Sequence, residues 1–306
     1  MLPFRLVYHP RYDLNLGDHV FPARKYRLIH DRLLAEHFAE PADFIEPQPA
    51  SDEDVLRVHD PGWVHRIKTG TLTAAEILKL EIPYSREMVE GFWLMAGGTI
   101  LAARNALRDS IGFNIGGGFH HAFRSHGEGF CAIHDVAIAI RALQNECAIE
   151  KALVVDCDVH HGNGTAAIFA GDRSVLTLSI HQLHNYPSEK PPSTIDVNLP
   201  DGVEDGEYLE RLEGALKVAM SFAPNLLLYV SGADPYREDQ LGGLAMTIDG
   251  LKRRDCLVFE TALAQSVPVA VVLAGGYARD TDDTVTIHCN TAKAAAAALV
   301  QESRQS

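Results

Sequence analysis

Ala152-Leu153-Val154-Val155-Asp156-Cys157-Asp158-Val159-His160-His161-Gly162-Asn163-Gly164 is the stretch on which the reading of this chain turns. It begins as an apolar run and ends in a glycine-rich loop, as a buried strand does where it leaves its sheet. Side chains alternate faces along a strand, so Asp156, Asp158 and His160 would project to one side where the strand gives way to loop. Two carboxylates and an imidazole suit Zn²⁺, with Fe²⁺ as the alternative, and so few local ligands leave positions for water and substrate. That is the donor set of a catalytic site rather than a structural one. An isolated Asp-x-Asp is ordinarily a solvated strand end, so the reading depends on what the rest of the chain brings alongside.

Working outward, strand patterns fall near 111–115, 152–158, 175–180, 225–231 and 269–273, with helical patterns near 85–107, 133–145, 206–222 and 250–265 between them. Several of the strands are continuous apolar runs, which parallel sheets covered by helices on both faces require. Ligands in such sheets bind beyond the carboxyl ends of the strands. The sequence after 111–115 is Gly116-Gly117-Gly118-Phe119-His120-His121, and Asp156, Asp158 and His160 follow the apolar residues 153–155. Ser231-Gly232-Ala233-Asp234 follows 226–230, and Ala274-Gly275-Gly276-Tyr277 follows 269–273. Histidines, a metal-type cluster, a further carboxylate and a tyrosine are thus sent to one edge.

The 306 residues, 46% apolar, suffice for one sizeable α/β domain spanning 1–306, with 301–306 read as a loose polar tail. The net charge of −14 and the lack of a basic stripe argue against nucleic-acid or anionic membrane partners. No window approaches the roughly 18 apolar residues of a membrane span, and the first residues lack the apolar core of a signal peptide. The five cysteines (131, 147, 157, 256, 289) show no CxxC spacing, so a disulfide framework is not expected and a reducing, cytoplasmic setting is. Cys131 and Cys157 read as small buried residues rather than nucleophiles.

Together these motifs resemble the zinc-dependent histone deacetylase superfamily. The match rests on Gly117-Gly118-Phe119-His120-His121, Gly129-Phe130-Cys131, Asp156-x-Asp158-x-His160-His161-Gly162-Asn163-Gly164-Thr165, Ser179-Ile180-His181, Gly232-Ala233-Asp234 and Gly275-Gly276-Tyr277. Asp239-Gln240-Leu241-Gly242-Gly243-Leu244, with Phe119 and Asn163, is most similar to the class IV branch and its bacterial relatives. The resemblance implies a three-layer arginase/deacetylase-like fold with a mainly parallel, roughly eight-stranded sheet flanked by helices. It implies a metal-dependent amidohydrolase that removes acetyl or longer acyl groups from lysine side chains of proteins or peptides. Asp158, His160 and Asp234 would be the ligands of a zinc ion, His120 and His121 would jointly act as base and acid, and Asp156 would stand behind His120. Tyr277 would stabilise the oxyanion. Phe119 and Phe130 would form the walls of a substrate channel that also includes Gly129, Leu241, Gly275 and Gly276. A potassium ion would be held by backbone carbonyls of Asp156, Asp158 and His160 with Ser179 and Ile180.

Three departures bear on this reading. Asn163 stands where many relatives pair an aspartate with the second active-site histidine, leaving His121 without a charged partner there. Leu241 falls where acetylpolyamine-specific relatives place a glutamate, which argues against a dicationic polyamine. The acidic rim residue of some relatives has no clear counterpart in Glu81-Ile82-Pro83-Tyr84-Ser85. A dinuclear ureohydrolase on the same fold is excluded because position 236 is Tyr and position 162 is Gly, where that pattern needs aspartates. The remaining alternatives are a deacylase of an acetylated small amine and a catalytically silent reader of acyl-lysine. Self-association is left open.

Overall fold

A computed structural model of the protein describes residues 1–305. Its elements in chain order are β1 (Leu6–Val7), α1 (Lys25–Ala35), β2 (Phe44–Ile45), α2 (Asp52–Leu56), α3 (Pro61–Thr69), α4 (Ala74–Leu80), α5 (Arg86–Asp109) and β3 (Ile111–Asn114). They continue with α6 (Asp135–Asn145), β4 (Ala152–Asp156), α7 (Asn163–Ile168), β5 (Val175–Gln182), β6 (Ile195–Leu199), α8 (Asp205–Met220), β7 (Leu226–Ser231), α9 (Ile248–Leu263), β8 (Val269–Leu273) and α10 (Thr281–Gln305). Every residue of β3, β4, β7 and β8 is buried, which is why these strands read as unbroken apolar runs. All pairings are parallel, in the order β2-β1-β3-β8-β7-β4-β5-β6. The four strands whose ends carry the motif residues are therefore consecutive in the sheet.

Register separates the two faces. Asn114, Val272, Val230 and Asp156 are partners across β3, β8, β7 and β4, so their side chains share a face. Asn114 Nδ2 donates to Met95 O and Thr99 Oγ1 of α5, at 3.2 and 3.0 Å, which places α5 on that face with α6 packed on it. Tyr229 and Ser231 point the other way. There Tyr229 donates to Asp255 Oδ1 of α9 at 2.5 Å, and Ser231 Oγ lies 3.4 Å from Thr291 Oγ1 of α10. The helices α8, α9, α10 and α1 pack in that order as the second covering layer.

Arg254 of α9 is fully buried beneath the strand ends. Its Nη1 donates to the carbonyls of Gly232 and Cys157, at 2.6 and 3.3 Å, so one guanidinium clamps the exits of β7 and β4. Its Nε and Nη2 bond Asp255 Oδ1 at 3.0 and 2.8 Å.

Two of the boundaries that differ from the sequence reading have a clear physical cause. The strand expected over 152–158 ends at Asp156, because Asp158 N–H donates to Asp156 Oδ1 and His160 N–H to Asp158 Oδ1, bonds that replace a ladder with side-chain turns. The segment from 301, expected as a loose tail, is helical through Gln305, since the alanine-rich run before it and residues such as Gln301 and Glu302 favour helix. Ser306 lies outside the described residues.

Candidate active site

The glycine turn after β3 sets the two histidines. Gly118 has φ +79°, and a Cβ there would lie 2.8 Å from Ala274 Cβ, so the close approach to the β8 exit requires glycine. Asp135, at the start of α6, accepts the N–H groups of Gly118 and Phe119 at 3.0 and 2.8 Å and pins the turn. His120 and His121 follow, their ring centres 4.0 Å apart. His120 Nδ1 lies 2.7 Å from Asp156 Oδ2, and His121 Nδ1 lies 2.7 Å from Asn163 Oδ1.

The β4 and β7 exits bring Asp158, His160 and Asp234 together. One donor atom from each lies within 4.8 Å of the others, and all three residues are buried. His160 Nδ1 is 3.0 Å from Asp158 Oδ1 and 3.4 Å from Asp234 Oδ2. Backbone donors orient the carboxylates, Gly275 N–H to Asp158 Oδ2 and Val159 N–H to Asp234 Oδ1, both at 2.8 Å. Asp234 Oδ2 accepts no hydrogen bond although buried. An orphan carboxylate oxygen beside a second carboxylate and an imidazole is a donor set that fits a divalent cation. A Cβ on Gly275 would overlap Asp234 Oδ2, so glycine keeps this cradle open.

Electrostatics follow from crowding charge where water is scarce. Burial raises Asp158, yet His120 and His160 outweigh it and hold that carboxyl well below its usual range. Burial and the Asp158 charge push Asp234 up to about 7. For His160, burial opposes charging, but the bond to Asp158 and the nearby Asp158 and Asp234 charges raise it to about 10. The tandem histidines diverge. Burial lowers His120 but Asp156 and Asp158 reverse this, to about 9, while burial and the neighbouring imidazoles put His121 well below the ordinary histidine value.

A cavity of about 290 Å³ descends to this cluster, lined by Glu81, His121, Gly129, Phe130, His160, Asn185, Tyr186, Leu241 and Tyr277. Phe130, Gly129 and Leu241 are among the residues that line this cavity. Phe119 is not: it is 2% exposed, its ring packs 4.5 Å from that of Phe92, and it reaches only a small inner cavity of about 20 Å³. The Asp135 bond to its N–H turns it toward the core, and Tyr186 is the aromatic residue that lines the cavity along with Phe130 and Tyr277. Gly275 borders that inner cavity, and Gly276 belongs to neither space, its Cβ direction facing Thr284 and Ala233. Glu81, read as no counterpart of a rim carboxylate, is in the lining.

Tyr277 is held through its backbone: its N–H donates to Asp239 Oδ2 at 2.7 Å. Burial and the Asp158 and Asp234 charges raise its phenol well above the ordinary value, so it remains an O–H donor. Burial likewise keeps the Cys131 thiol protonated and unreactive, and all five cysteines are free. For the expected cation carbonyls, Asp156 and Ser179 are register partners across β4 and β5, and Ile180 is fully buried next to them. A second group, His161, His181 and Asp196, also has metal-type donors. The Asp196 oxygens there are engaged by His161 Nε2 at 3.2 Å and Ser193 N–H at 2.9 Å.

Sequence reasoning missed three neighbours. Tyr186 sits in the rim loop and has no motif. Lys25 is fully buried beneath the site, its Nζ donating to Ala274 O at 2.5 Å, with burial lowering it to about 8. Glu128, whose Oε1 lies 2.5 Å from Asn163 Nδ2, precedes Gly129-Phe130-Cys131, and a charged residue beside that motif was the available signal. No helix among the described residues is long and apolar enough to cross a membrane.

The histone deacetylase domain family matches residues 19–292, and the chain belongs to that family. An uncharacterized protein of Picosynechococcus is 41% identical over 287 residues, covering 93% of this chain and 96% of that one. Histone deacetylase 2 of Arabidopsis thaliana is 31% identical, covering 89% of this chain and 74% of that protein. The crystal structure of the HDA15 HD domain has the same fold, with a TM-score of 0.80 at 24% identity, over 94% of this chain and 90% of that one.

Proposed function

We propose that the protein is a metal-dependent amidohydrolase that removes acetyl or longer acyl groups from lysine side chains, the whole chain forming its catalytic domain. The observation that carries this reading is the meeting of Asp158, His160 and Asp234 donor atoms within 4.8 Å at the foot of a tunnel that Tyr277 and His121 also line. Asp158, His160 and Asp234 would hold a zinc ion, which when bound supplies Lewis acidity toward water and the acyl carbonyl. His121, neutral at pH 7, accepts the proton of the attacking water at Nε2 and returns it to the leaving amine. His120, charged through Asp156, stays a cation beside the reacting centre. Tyr277 donates to the oxyanion. Phe130, Tyr186 and Leu241 enclose a linear methylene stem and exclude water around it. The β4 and β5 ends, with Asp156, Asp158, His160, Ser179 and Ile180, are assigned a potassium ion, and the free cysteines accord with a cytoplasmic setting.

Glu81 in the tunnel lining favours one second reading, an acetylated small amine whose distal cation would meet that carboxylate. Leu241, apolar in the same lining, favours the lysine stem. Both readings are tested by incubating zinc-loaded protein with lysine peptides bearing acetyl, trifluoroacetyl, octanoyl or myristoyl groups and with acetylated polyamines. Turnover of the peptides, lost in Tyr277→Phe and His120→Ala, is the expected result. Turnover of the polyamines alone supports the small-amine reading, and no turnover by protein carrying stoichiometric zinc sinks both.

A further inference from the structure

We propose that Glu128 is a positioning residue of this site: acting through the Asn163 amide, its carboxylate fixes the ring proton of His121 on Nδ1 and leaves the Nε2 lone pair toward the tunnel. The kinetic consequence rests on the deacylase reading above; the proton assignment does not.

An amide partner differs from a carboxylate in having one accepting and one donating end, so a histidine it faces is instructed only if the amide cannot turn over. Two neighbours set Asn163. The Gly164 N–H, which can only donate, lies 3.0 Å from Asn163 Oδ1. Glu128 Oε1, which as a carboxylate can only accept, lies 2.5 Å from Asn163 Nδ2. Turning the amide over would set N–H against N–H at Gly164 and carbonyl against carboxylate at Glu128. With the oxygen fixed, His121 Nδ1, 2.7 Å from Asn163 Oδ1, must carry the hydrogen, and a neutral imidazole protonated at Nδ1 accepts at Nε2.

Glu128 is built to stay ionised. It is 6% exposed, Lys79 Nζ lies 2.9 Å and His126 Nε2 3.2 Å from Oε2, and Tyr186 O–H donates to Oε1 at 3.3 Å. Burial opposes the charge, but these donors and Asn163 hold the carboxyl at about 2. Glu128 is not in the tunnel lining and borders the adjoining cavity with Glu81 and Tyr186, so its link to His121 runs through Asn163.

The test uses zinc-loaded wild-type, Glu128→Gln, Asn163→Asp and Glu128→Gln/Asn163→Asp proteins, each checked for zinc content and thermal unfolding. Glutamine is isosteric and can accept from or donate to Asn163, so it enforces neither orientation. In Glu128→Gln, kcat on an acyl-lysine peptide should fall about 10- to 100-fold with KM nearly unchanged, the range for losing an outer partner of an active-site histidine. Asn163→Asp should also lose activity, because two carboxylates then meet. The double variant, with its charge moved from 128 to 163, should recover kcat to within about threefold of wild type. The ¹⁵N shifts of the His121 ring report the proton directly: Nδ1 protonated in wild type and the double variant, mixed in Glu128→Gln. A folded Glu128→Gln protein with wild-type kcat and His121 shifts overturns the proposal. If wild type turns over no acyl substrate, the deacylase reading fails while the ¹⁵N comparison still decides the role of Glu128.

Discussion

Tyr277 is the side chain whose removal separates reaction from assembly, because its backbone N–H, not its hydroxyl, is what Asp239 holds. Tyr277→Phe keeps that bond and the tunnel wall while deleting the oxyanion donor. It should lower kcat/KM by about 10²- to 10³-fold with zinc stoichiometry and unfolding temperature unchanged; a loss of zinc along with activity would show instead that the phenol supports the site's structure. Residues of this kind were legible because their chemistry is unusual for the ends of apolar strands. Asp158, His160 and Asp234 stand out as carboxylates and an imidazole where a buried strand should finish. The tunnel walls were not legible in the same way. Phe119 and Tyr186 are both aromatic residues in glycine- or proline-bearing loops, and which one faces the cavity depends on Asp135 holding the Phe119 N–H, a contact 16 residues away in sequence. Glu128 was overlooked for the same reason, since its meaning lies in a bond to Asn163 across 35 residues.

Among the elements, the strands buried on both faces announced themselves, whereas β1 and β2, two residues each, are too short to carry any period. The edge strand β6 alternates Ile195-Asp196-Val197-Asn198-Leu199 with partial exposure, a half-buried pattern that was passed over because it follows a proline-rich loop. Nor could periodicity reveal what joins a helix to the strand exits. Arg254 does so, and the cost of removing it is set by the partner it leaves behind. Arg254→Met would strand Asp255, fully buried, without its cation, and breaking such a pair costs about 3–5 kcal/mol. Urea unfolding of the metal-free protein should show that loss, with much of it recovered in Arg254→Met/Asp255→Asn. Zinc affinity should fall in both, because the Gly232 and Cys157 carbonyls that Arg254 clamps lie one or two residues from Asp234 and Asp158. Equal zinc affinity in wild type and Arg254→Met would mean the clamp serves the core alone.

For the molecule as a whole, the fold class could be read because separate motifs agreed on one sheet edge, while its pH response could not, because histidine burial is a tertiary property. His59, His134 and His288 are each at most 1% exposed. Burial lowers His59 to about 4 and the other two well below the ordinary value of 6.5. The His134 N–H donates to His59 Nε2 at 2.9 Å, so protonating that nitrogen would set two hydrogens against each other at the start of α6, next to Asp135 and the His120 turn. The sign follows from linkage: the unfolded chain binds these protons near pH 6.5 and the folded chain does not. Their contribution is therefore fully present above 6.5 and is lost as pH falls toward 4, each histidine adding a slope of at most about 1.4 kcal/mol per pH unit. His120 and His160, raised to about 9 and 10, act oppositely, contributing below 6.5 and losing their contribution as pH rises through those values. The metal-free protein should thus be most stable near neutrality, its unfolding free energy dropping steeply between pH 6.5 and 5. His59→Gln, which keeps an acceptor for the His134 N–H, should flatten the acid limb by about 1.4 kcal/mol per pH unit. An unchanged slope in that variant would place the acid sensitivity elsewhere than in this buried histidine.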